Sequence, residues 1–245
     1  MSSATRATDR IVAWRAAEVR EVIRETPAAA TLVLDVPGWP GHRAGQHLDV
    51  RLTAEDGYHA QRSYSIASAP EDGVPSITVE RLDNGEVSPY LVDDAQAGDM
   101  LEVRGPVGGW FVWDVSQGGP LWLIGGGSGV VPLRSMLRHR ERAGSDVEAR
   151  LLLSAKRQQD VIYRAELQSF DVTCTYTRQA PPAWTGYARR VDREMLAEAG
   201  FAPEQQPRIY VCGPTGFVEG VANELVALGH GPDRIRTERF GATGG

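Results

Sequence analysis

Leu121-Trp-Leu-Ile-Gly-Gly-Gly-Ser-Gly-Val-Val-Pro132 decides how this chain folds. Leu121–Ile124 are four apolar residues in a row, the pattern of a strand buried on both faces. Gly125–Gly129 follow. Glycine allows a tight turn there and lets a ligand's phosphate approach the backbone. A helix is predicted from the end of this turn to about Arg142. Pro132 sits in its first turn, where amides have no acceptor within the helix. A strand, a glycine turn and a helix in this order match the opening unit of a dinucleotide-binding sheet. The plain alternative is a permissive turn that binds nothing.

The alternation continues downstream. Strands are predicted at Ala149–Ser154, Val172–Thr177 and Arg208–Cys212, and helices around Val161–Phe170 and from about Thr215 to Leu228. In the last helix Phe217, Val218, Val221, Ala222, Leu225 and Val226 recur at three-to-four spacing, and Gly229 ends it. Strand alternating with helix implies a parallel sheet. Upstream the chain reads almost entirely as strands, at Thr31–Val36, His47–Leu52, Ser63–Ala67, Ser76–Arg81 and Met100–Arg104. Gly, Pro and Asp clusters separate them, as in an antiparallel barrel or sandwich. One short helix is expected after Ser88, with Pro89 in its first turn. The character changes near Gln117-Gly-Gly-Pro120. The predicted organisation is therefore two domains: an N-terminal antiparallel β-barrel over 1–117 and a C-terminal α/β parallel-sheet domain over 118–245.

Composition narrows the function. Of 245 residues, 42% are hydrophobic and 24% charged, enough apolar mass for a packed core. The formal net charge is -6, without the basic face of a nucleic-acid binder. Cys174 and Cys212 are too few for an ordinary iron–sulfur cluster or an all-cysteine zinc site, so no metal is expected. They also give no disulfide framework, which favours a reducing compartment. Met1–Arg10 is polar and lacks a signal-peptide core. Leu121–Leu133 is too short and too glycine-rich to span a membrane. The expectation is a soluble, cytoplasmic, monomeric protein with no nucleic-acid or membrane partner.

Four further stretches carry chemistry. In Arg62-Ser-Tyr-Ser65, strand alternation puts Arg62 and Tyr64 on one face. Arg62 there suits a phosphate and Tyr64 a flat aromatic ring, with Ser65 adding a hydrogen-bonding group. The same residues also suit a half-buried strand with a snorkelling arginine. Gly85-Glu-Val-Ser-Pro89 offers backbone N–H groups and a hydroxyl at a helix start, either an anion seat or a plain capped helix. Tyr210-Val-Cys-Gly-Pro-Thr-Gly216 lies at the carboxyl end of a predicted strand, where ligands of open α/β sheets bind. Cys212 is otherwise a small buried hydrophobe. Lys156, Arg157 and Arg178, with Ser154 nearby, lie just beyond strands and would suit the 2′-phosphate of NADPH; surface arginines in general account for them equally well.

Taken in order, these motifs resemble the ferredoxin–NADP(+) reductase superfamily from about Arg20 to Phe240. Arg62–Ser65 resembles its flavin motif and Gly85–Ser88 its pyrophosphate turn. Gly105-Pro-Val-Gly-Gly-Trp-Phe111 resembles the loop closing its flavin domain. Gly126–Pro132 and Cys212-Gly-Pro214 resemble its two nicotinamide-dinucleotide signatures. The resemblance implies a barrel binding FAD and a five-stranded α/β domain binding NADPH or NADH, with the nicotinamide meeting the flavin in the cleft.

Carried over, Arg62, Tyr64 and Ser65 hold the flavin, and Val79, Glu80 and Arg81 line its ribityl and phosphate path. Val87 and Ser88 bind its pyrophosphate. Ser128, Cys212, Gly213 and Pro214 flank the nicotinamide dinucleotide. Ser63, Glu86, Gly126, Gly127, Gly129, Thr215 and Phe240 complete the candidate set from the same motifs. Ser65, Cys212 and Glu238 are the candidate catalytic residues. The implied activity is hydride transfer from NAD(P)H to FAD, then electron transfer to a separate acceptor protein such as a ferredoxin or an oxygenase. Two alternatives stand beside it: a stand-alone reductase of free flavin, ferric chelate or quinone, and a non-catalytic flavin-carrying subunit. The chain departs from the family in three ways. Gly241–Gly245 follow Phe240, so either the tail or Phe240, or neither, covers the flavin. The cysteines do not suffice for a fused iron–sulfur domain. Trp110 stands where relatives often have Phe or Tyr.

Overall fold

The computed structural model of the protein describes residues 13–54 and 56–240. The readings of Met1–Arg10 and of the Gly241–Gly245 tail lie outside them. The first six strands are β1 (Arg15–Thr26), β2 (Ala29–Asp35), β3 (His47–Thr53), β4 (His59–Ser65), β5 (Ser76–Glu80) and β6 (Met100–Val107). They pair antiparallel in the order β4-β3-β6-β1-β2-β5. A bridge from Ile66 to Ile77 joins the exit of β4 to β5 and closes the sheet into a barrel. Ala17, Val19, Leu32, Leu34, Leu48, Val50, Ile77 and Val79 fill its interior. The short helical turn expected after Ser88 is present at Tyr90–Asp94.

The second half contains β7 (Leu121–Gly126), α1 (Val130–Arg142), β8 (Ala149–Arg157), β9 (Val172–Gln179), α2 (Arg193–Ala199), β10 (Arg208–Pro214), α3 (Thr215–Ala227) and β11 (Ile235–Phe240). The strands form one parallel sheet in the order β11-β10-β7-β8-β9. β7 comes first in the chain, and later strands add on both sides of it. The order therefore reverses between β7 and β10, and open α/β sheets place their ligand crevices at such a point. Trp122, Ile124, Ile209 and Val211 face α2 and α3. Leu121, Leu123, Tyr210 and Cys212 face the other way, in a cluster that takes in α1 and, from the first half of the chain, Ala44, Ala67, Phe111 and Trp113. Among the described residues no helix is long and apolar enough to cross a membrane.

One predicted element is different. Val161–Phe170 is not an α-helix but an irregular turn followed by a single 3₁₀ turn at Glu166–Ser169. Tyr163 has φ 61, and a left-handed residue cannot continue a right-handed helix. The apolar spacing behind the prediction is real, because Val161, Ile162, Tyr163 and Leu167 are all buried. It anchors a loop to the sheet instead of a helix. β1, α2 and β11 escaped prediction. β1 and β11 are rich in charged residues, and α2 is barely two turns long, capped by Asp192, whose carboxylate accepts from the Met195 N–H at 2.9 Å.

Gly45 shows how tightly the halves meet. Its φ is 97, and a Cβ there would overlap the Phe111 carbonyl and lie 2.7 Å from Met136 Cε of α1. Gly45→Ala is expected to destabilise the protein by about 2 kcal/mol or more, through backbone strain and overpacking together. A urea unfolding midpoint equal to that of the unsubstituted protein would refute this.

Candidate functional site

The site begins at the crevice between β7 and β10. Gly127 has φ 56, and Gly127–Gly129 form a 3₁₀ turn leading into α1. A Cβ on Gly129 would overlap the Cys212 carbonyl, and one on Gly126 would lie 2.9 Å from the Phe217 ring. The glycine turn is thus seated directly on the Cys212-Gly213-Pro214 turn, a fit that only glycine permits. Gly213 has φ 154 and packs against Gly126 and Phe217 in return. Ser128 is half-exposed, while Pro214 and Thr215 are exposed at the start of α3. The two stretches that sequence reasoning chose in this half therefore form one surface.

The barrel supplies the facing wall. The helix that follows the glycine turn bonds the chain just beyond β4: Arg134 Nη1 donates to the Ala67 carbonyl at 3.0 Å, and the Ser135 hydroxyl to the Ser68 carbonyl at 2.7 Å. Those acceptors lie two and three residues past Ser65, which is itself buried. Glu80, half-buried on β5, has its carboxylate 3.7 Å from where a Cβ of Gly127 would be. The end of the Arg62–Ser65 strand and the glycine turn seated on Cys212 are therefore joined through α1 and β5.

Arg62 and Tyr64 share a face, both half-buried between exposed Gln61 and Ser63. Burial pushes the Tyr64 phenol up, so it stays neutral. Arg62 Nη2 pairs with Glu86 at 2.9 Å, and the Tyr58 hydroxyl donates to the same carboxylate at 2.8 Å. This pair is half-exposed, so its net attraction is only ~0–1 kcal/mol and the guanidinium separates from it at little cost. Ser88 is buried, and its hydroxyl accepts from the Leu82 N–H at 3.0 Å. A Cβ on Gly85 would lie 2.7 Å from that oxygen, so the turn packs closely at the start of the helical turn that follows it. Arg81 is held by Asp83 at 3.1 Å and Asp93 at 3.2 Å.

Three candidates are placed differently from expectation. Ser63 lies on the opposite face from Arg62 and donates its hydroxyl to Asp49 at 2.6 Å, where Asp49 also holds Arg104. Val79 and Val87 are in the barrel core, so they offer a ligand only backbone groups. In each case the period-two alternation of a strand, or the packing of a short turn, turned the side chain inward or across.

Cys212 and Glu238 sit side by side in register on β10 and β11, and the thiol points at Glu238 Oε2 at 3.8 Å. Burial pushes the Cys212 thiol well up, and the neighbouring carboxyl pushes it further. That excludes a resting thiolate nucleophile. Burial also raises Glu238 to about 7. Phe240 follows on the same face and packs half-buried against the shared apolar cluster. Ser154 lies beside Gly126 in the sheet, and Lys156, Arg157 and Arg178 project exposed from the adjoining ends of β8 and β9, without a carboxylate partner among the described residues. Sequence reasoning missed Arg134, Tyr163 and Thr78, which join the walls of the cleft. Each lies outside any motif, and its partner is far away in the chain.

Comparison with known proteins identifies both halves of the chain. Residues 18–112 match the oxidoreductase FAD-binding domain, and residues 123–223 the oxidoreductase NAD-binding domain. The chain is 34% identical over 214 residues to ferredoxin–NADP reductase B of Sorangium cellulosum, covering 80% of this chain and 84% of that one. It is 32% identical over 237 residues to the glycine betaine monooxygenase reductase subunit of Chromohalobacter salexigens, covering 91% of this chain but 63% of that protein. The FAD/NAD-binding domain of nitric oxide dioxygenase from Vibrio cholerae superimposes with a TM-score of 0.81 at 26% identity, covering 93% of this chain and 98% of that one.

Glu238 makes a pH prediction. A carboxyl group raised in the folded state contributes stability that is fully present below its ordinary value of 4.5 and is lost as pH rises through about 7. The contrast between those limits is at most ~3 kcal/mol, less where solvent reaches the half-buried group. Glu238→Gln keeps the neutral form at every pH. The variant's stability relative to the native sequence is therefore expected to be higher at pH 8 than at pH 4 by about 2 kcal/mol. Urea titrations of both proteins without ligand measure it, and an equal difference at the two pH values would contradict the assignment.

Proposed function

Because the chain belongs to the ferredoxin–NADP(+) reductase superfamily, we propose that it takes hydride from NADPH or NADH onto FAD and passes the electrons to a separate acceptor protein. The observation that carries this reading is the cleft. The glycine turn rests on Cys212, and the helix leaving that turn is bonded two and three residues beyond Ser65. A site assembled from both halves is what contact between two bound rings requires. The domain boundary in this reading lies at Gln117–Gly118, between β6 and β7.

The residues suit FAD. Arg62 exchanges Glu86 for a phosphate, and the Gly85–Ser88 cradle offers backbone N–H groups to the pyrophosphate. Tyr64, with its neutral phenol, and the Ser65 hydroxyl would hold the ring system. Bound FAD supplies the redox chemistry itself, accepting two electrons and releasing them singly. Glu238 holds or yields a proton near neutral pH, and Cys212 keeps that carboxyl in place while closing the floor of the nicotinamide site. The apolar cluster behind both turns excludes water.

Two finer points belong to the same reading. The exposed cations Lys156, Arg157 and Arg178, which have no carboxylate partner among the described residues, favour NADPH, whose 2′-phosphate would be bound there. The names of the relatives, a monooxygenase reductase subunit and a ferredoxin reductase, favour a protein as acceptor. The chain spans 63% of that reductase subunit, so the acceptor is inferred for the matched portion alone.

The test begins with the purified protein. It is expected to be yellow, and anaerobic NADPH is expected to bleach it. Bound FAD that neither nucleotide bleaches would point to a flavin-carrying subunit. Turnover with ferric chelate or free flavin faster than with any carrier protein would point to the stand-alone reductase. For the nucleotide, the double variant Arg157→Ala/Arg178→Ala is expected to raise the KM for NADPH about tenfold and to leave that for NADH within about twofold, since each lost charge-assisted bond weakens only the phosphorylated ligand. Equal changes for the two nucleotides would remove the case for NADPH.

A further inference from the structure

Tyr163 carries an arrangement that neither the flavin nor the nucleotide assignment uses. It is 4% exposed and held in a left-handed conformation, with φ 61. Such a backbone persists in a tyrosine only where the surroundings enforce it, and it asks for a reason. Two of its own contacts, and an ion pair that links them, hold it. Its carbonyl accepts from the Leu167 N–H at 2.9 Å, which sets the 3₁₀ turn that carries Glu166. Glu166 grips Arg134 of α1 through Nε at 3.0 Å and Nη2 at 2.6 Å. The Arg134 guanidinium in turn lies over the Tyr163 ring, 4.3 Å from its centre. The loop thus closes on itself around one arginine.

Both ends of this assembly then reach the barrel. Arg134 donates to the Ala67 carbonyl at 3.0 Å, two residues from Ser65. The Tyr163 hydroxyl meets the Thr78 hydroxyl of β5. The direction of that bond follows by elimination. The Thr31 hydroxyl donates to the Glu25 carboxylate at 2.7 Å, so toward Thr78, also at 2.7 Å, its oxygen must accept. Thr78 therefore donates to Thr31, and Tyr163 donates to Thr78. Thr78 lies between Ile77 and Val79, which fill the barrel, and two residues before Glu80, which faces Gly127.

We propose that Tyr163 is a positioning residue: with Arg134 it fixes the angle between the two domains and so the separation of the nicotinamide and flavin sites. The two bonds to the barrel flank the cleft, one beside the candidate flavin strand and one on the strand facing the glycine turn. Without either, the glycine turn is held to the barrel by the bonds of Ser135, Arg138 and His139 farther along α1, which do not reach the strand that faces it. The inference rests on the proposed function for its kinetic consequence, and on the hydrogen bonds alone for its structural one.

The test uses Tyr163→Phe, which keeps the ring under Arg134, and Thr78→Val, which removes the same bond from the other side. FAD content is expected to be unchanged in both, and the KM for the nucleotide to stay within about twofold. Flavin reduction is expected to slow about tenfold, because a small displacement of reacting groups is costly. The long-wavelength charge-transfer absorbance of the nucleotide–flavin complex, which depends on ring overlap, is expected to weaken in parallel. Thr78→Ser is expected to restore both, and the double variant to be no slower than either single one. Without any ligand, amide exchange in 66–68 and 133–136 is expected to quicken in Tyr163→Phe. Native reduction rate and absorbance in Tyr163→Phe would overturn the proposal, as would a Thr78→Ser variant as slow as Thr78→Val. If the unsubstituted protein is reduced by neither nucleotide, the proposed function falls, and the exchange measurement decides this inference: unchanged exchange in Tyr163→Phe overturns it.

Discussion

Both halves of the chain depend on one shared apolar core. The face of α1 that covers Leu121, Leu123 and Tyr210 also covers Ala44, Ala67, Phe111 and Trp113 of the barrel half. Neither half buries that surface alone, and each large side chain there contributes about 1.5–3 kcal/mol when fully removed from water. Hydrophobic burial is strong but has no direction. Directed bonds fix how the surfaces register: Arg134 and Ser135 to the Ala67 and Ser68 carbonyls, Arg138 to Asp72, and His139 to Glu71. On the far edge, Tyr210 and Arg236 both donate to the Val112 carbonyl at 2.8 Å. α1 begins at the glycine turn, so whatever holds the helix against the barrel also holds that turn.

The turn shows why residue type matters more than charge at this point. The crevice between β7 and β10 is open only because the strand order reverses there. Closing its floor requires two backbones to touch, and Gly129 against the Cys212 carbonyl is that contact. Any side chain at position 129 would separate the two turns and leave Cys212 facing a gap. The same economy of space explains Gly85 against the Ser88 hydroxyl in the barrel. In both places the glycine spacing visible in the sequence reflects close packing as much as ligand approach.

The parallel half was legible because its signals are local. An apolar run, a glycine turn and a three-to-four periodicity each declare themselves within about a dozen residues. The barrel was legible as a class from its alternation and turn residues. The edges were not. β1 alternates Ala17 and Val19 with charged neighbours, and β11 carries Arg236, Glu238 and Arg239, so neither has the apolar signal of a strand. Faces within motifs were partly legible: alternation correctly paired Arg62 with Tyr64, and the same alternation sends Ser63 across to Asp49. Val161–Phe170 had a helix's apolar spacing but not its backbone, because Tyr163 answers to Thr78, 85 residues away. Partners at that separation leave no trace in a local pattern, and the joints between the domains are made of them.

The pairing of Cys212 with Glu238 follows from this confinement. Two acidic groups that face each other in a poorly hydrated site cannot both ionise cheaply, since each charge raises the cost of the other. The carboxyl ionises first, near neutrality, and its charge then keeps the thiol protonated. The thiol is thereby fixed as a donor toward Glu238 and not as a nucleophile. A carboxyl poised near neutral pH beside the Cys212 turn can retain or release a proton with little change in free energy. That balance depends on burial, and burial there depends on the same apolar cluster that holds the halves together. Loosening the interface would therefore lower the Glu238 pKa toward 4.5 and change the electrostatics of the site before any residue in it had been altered.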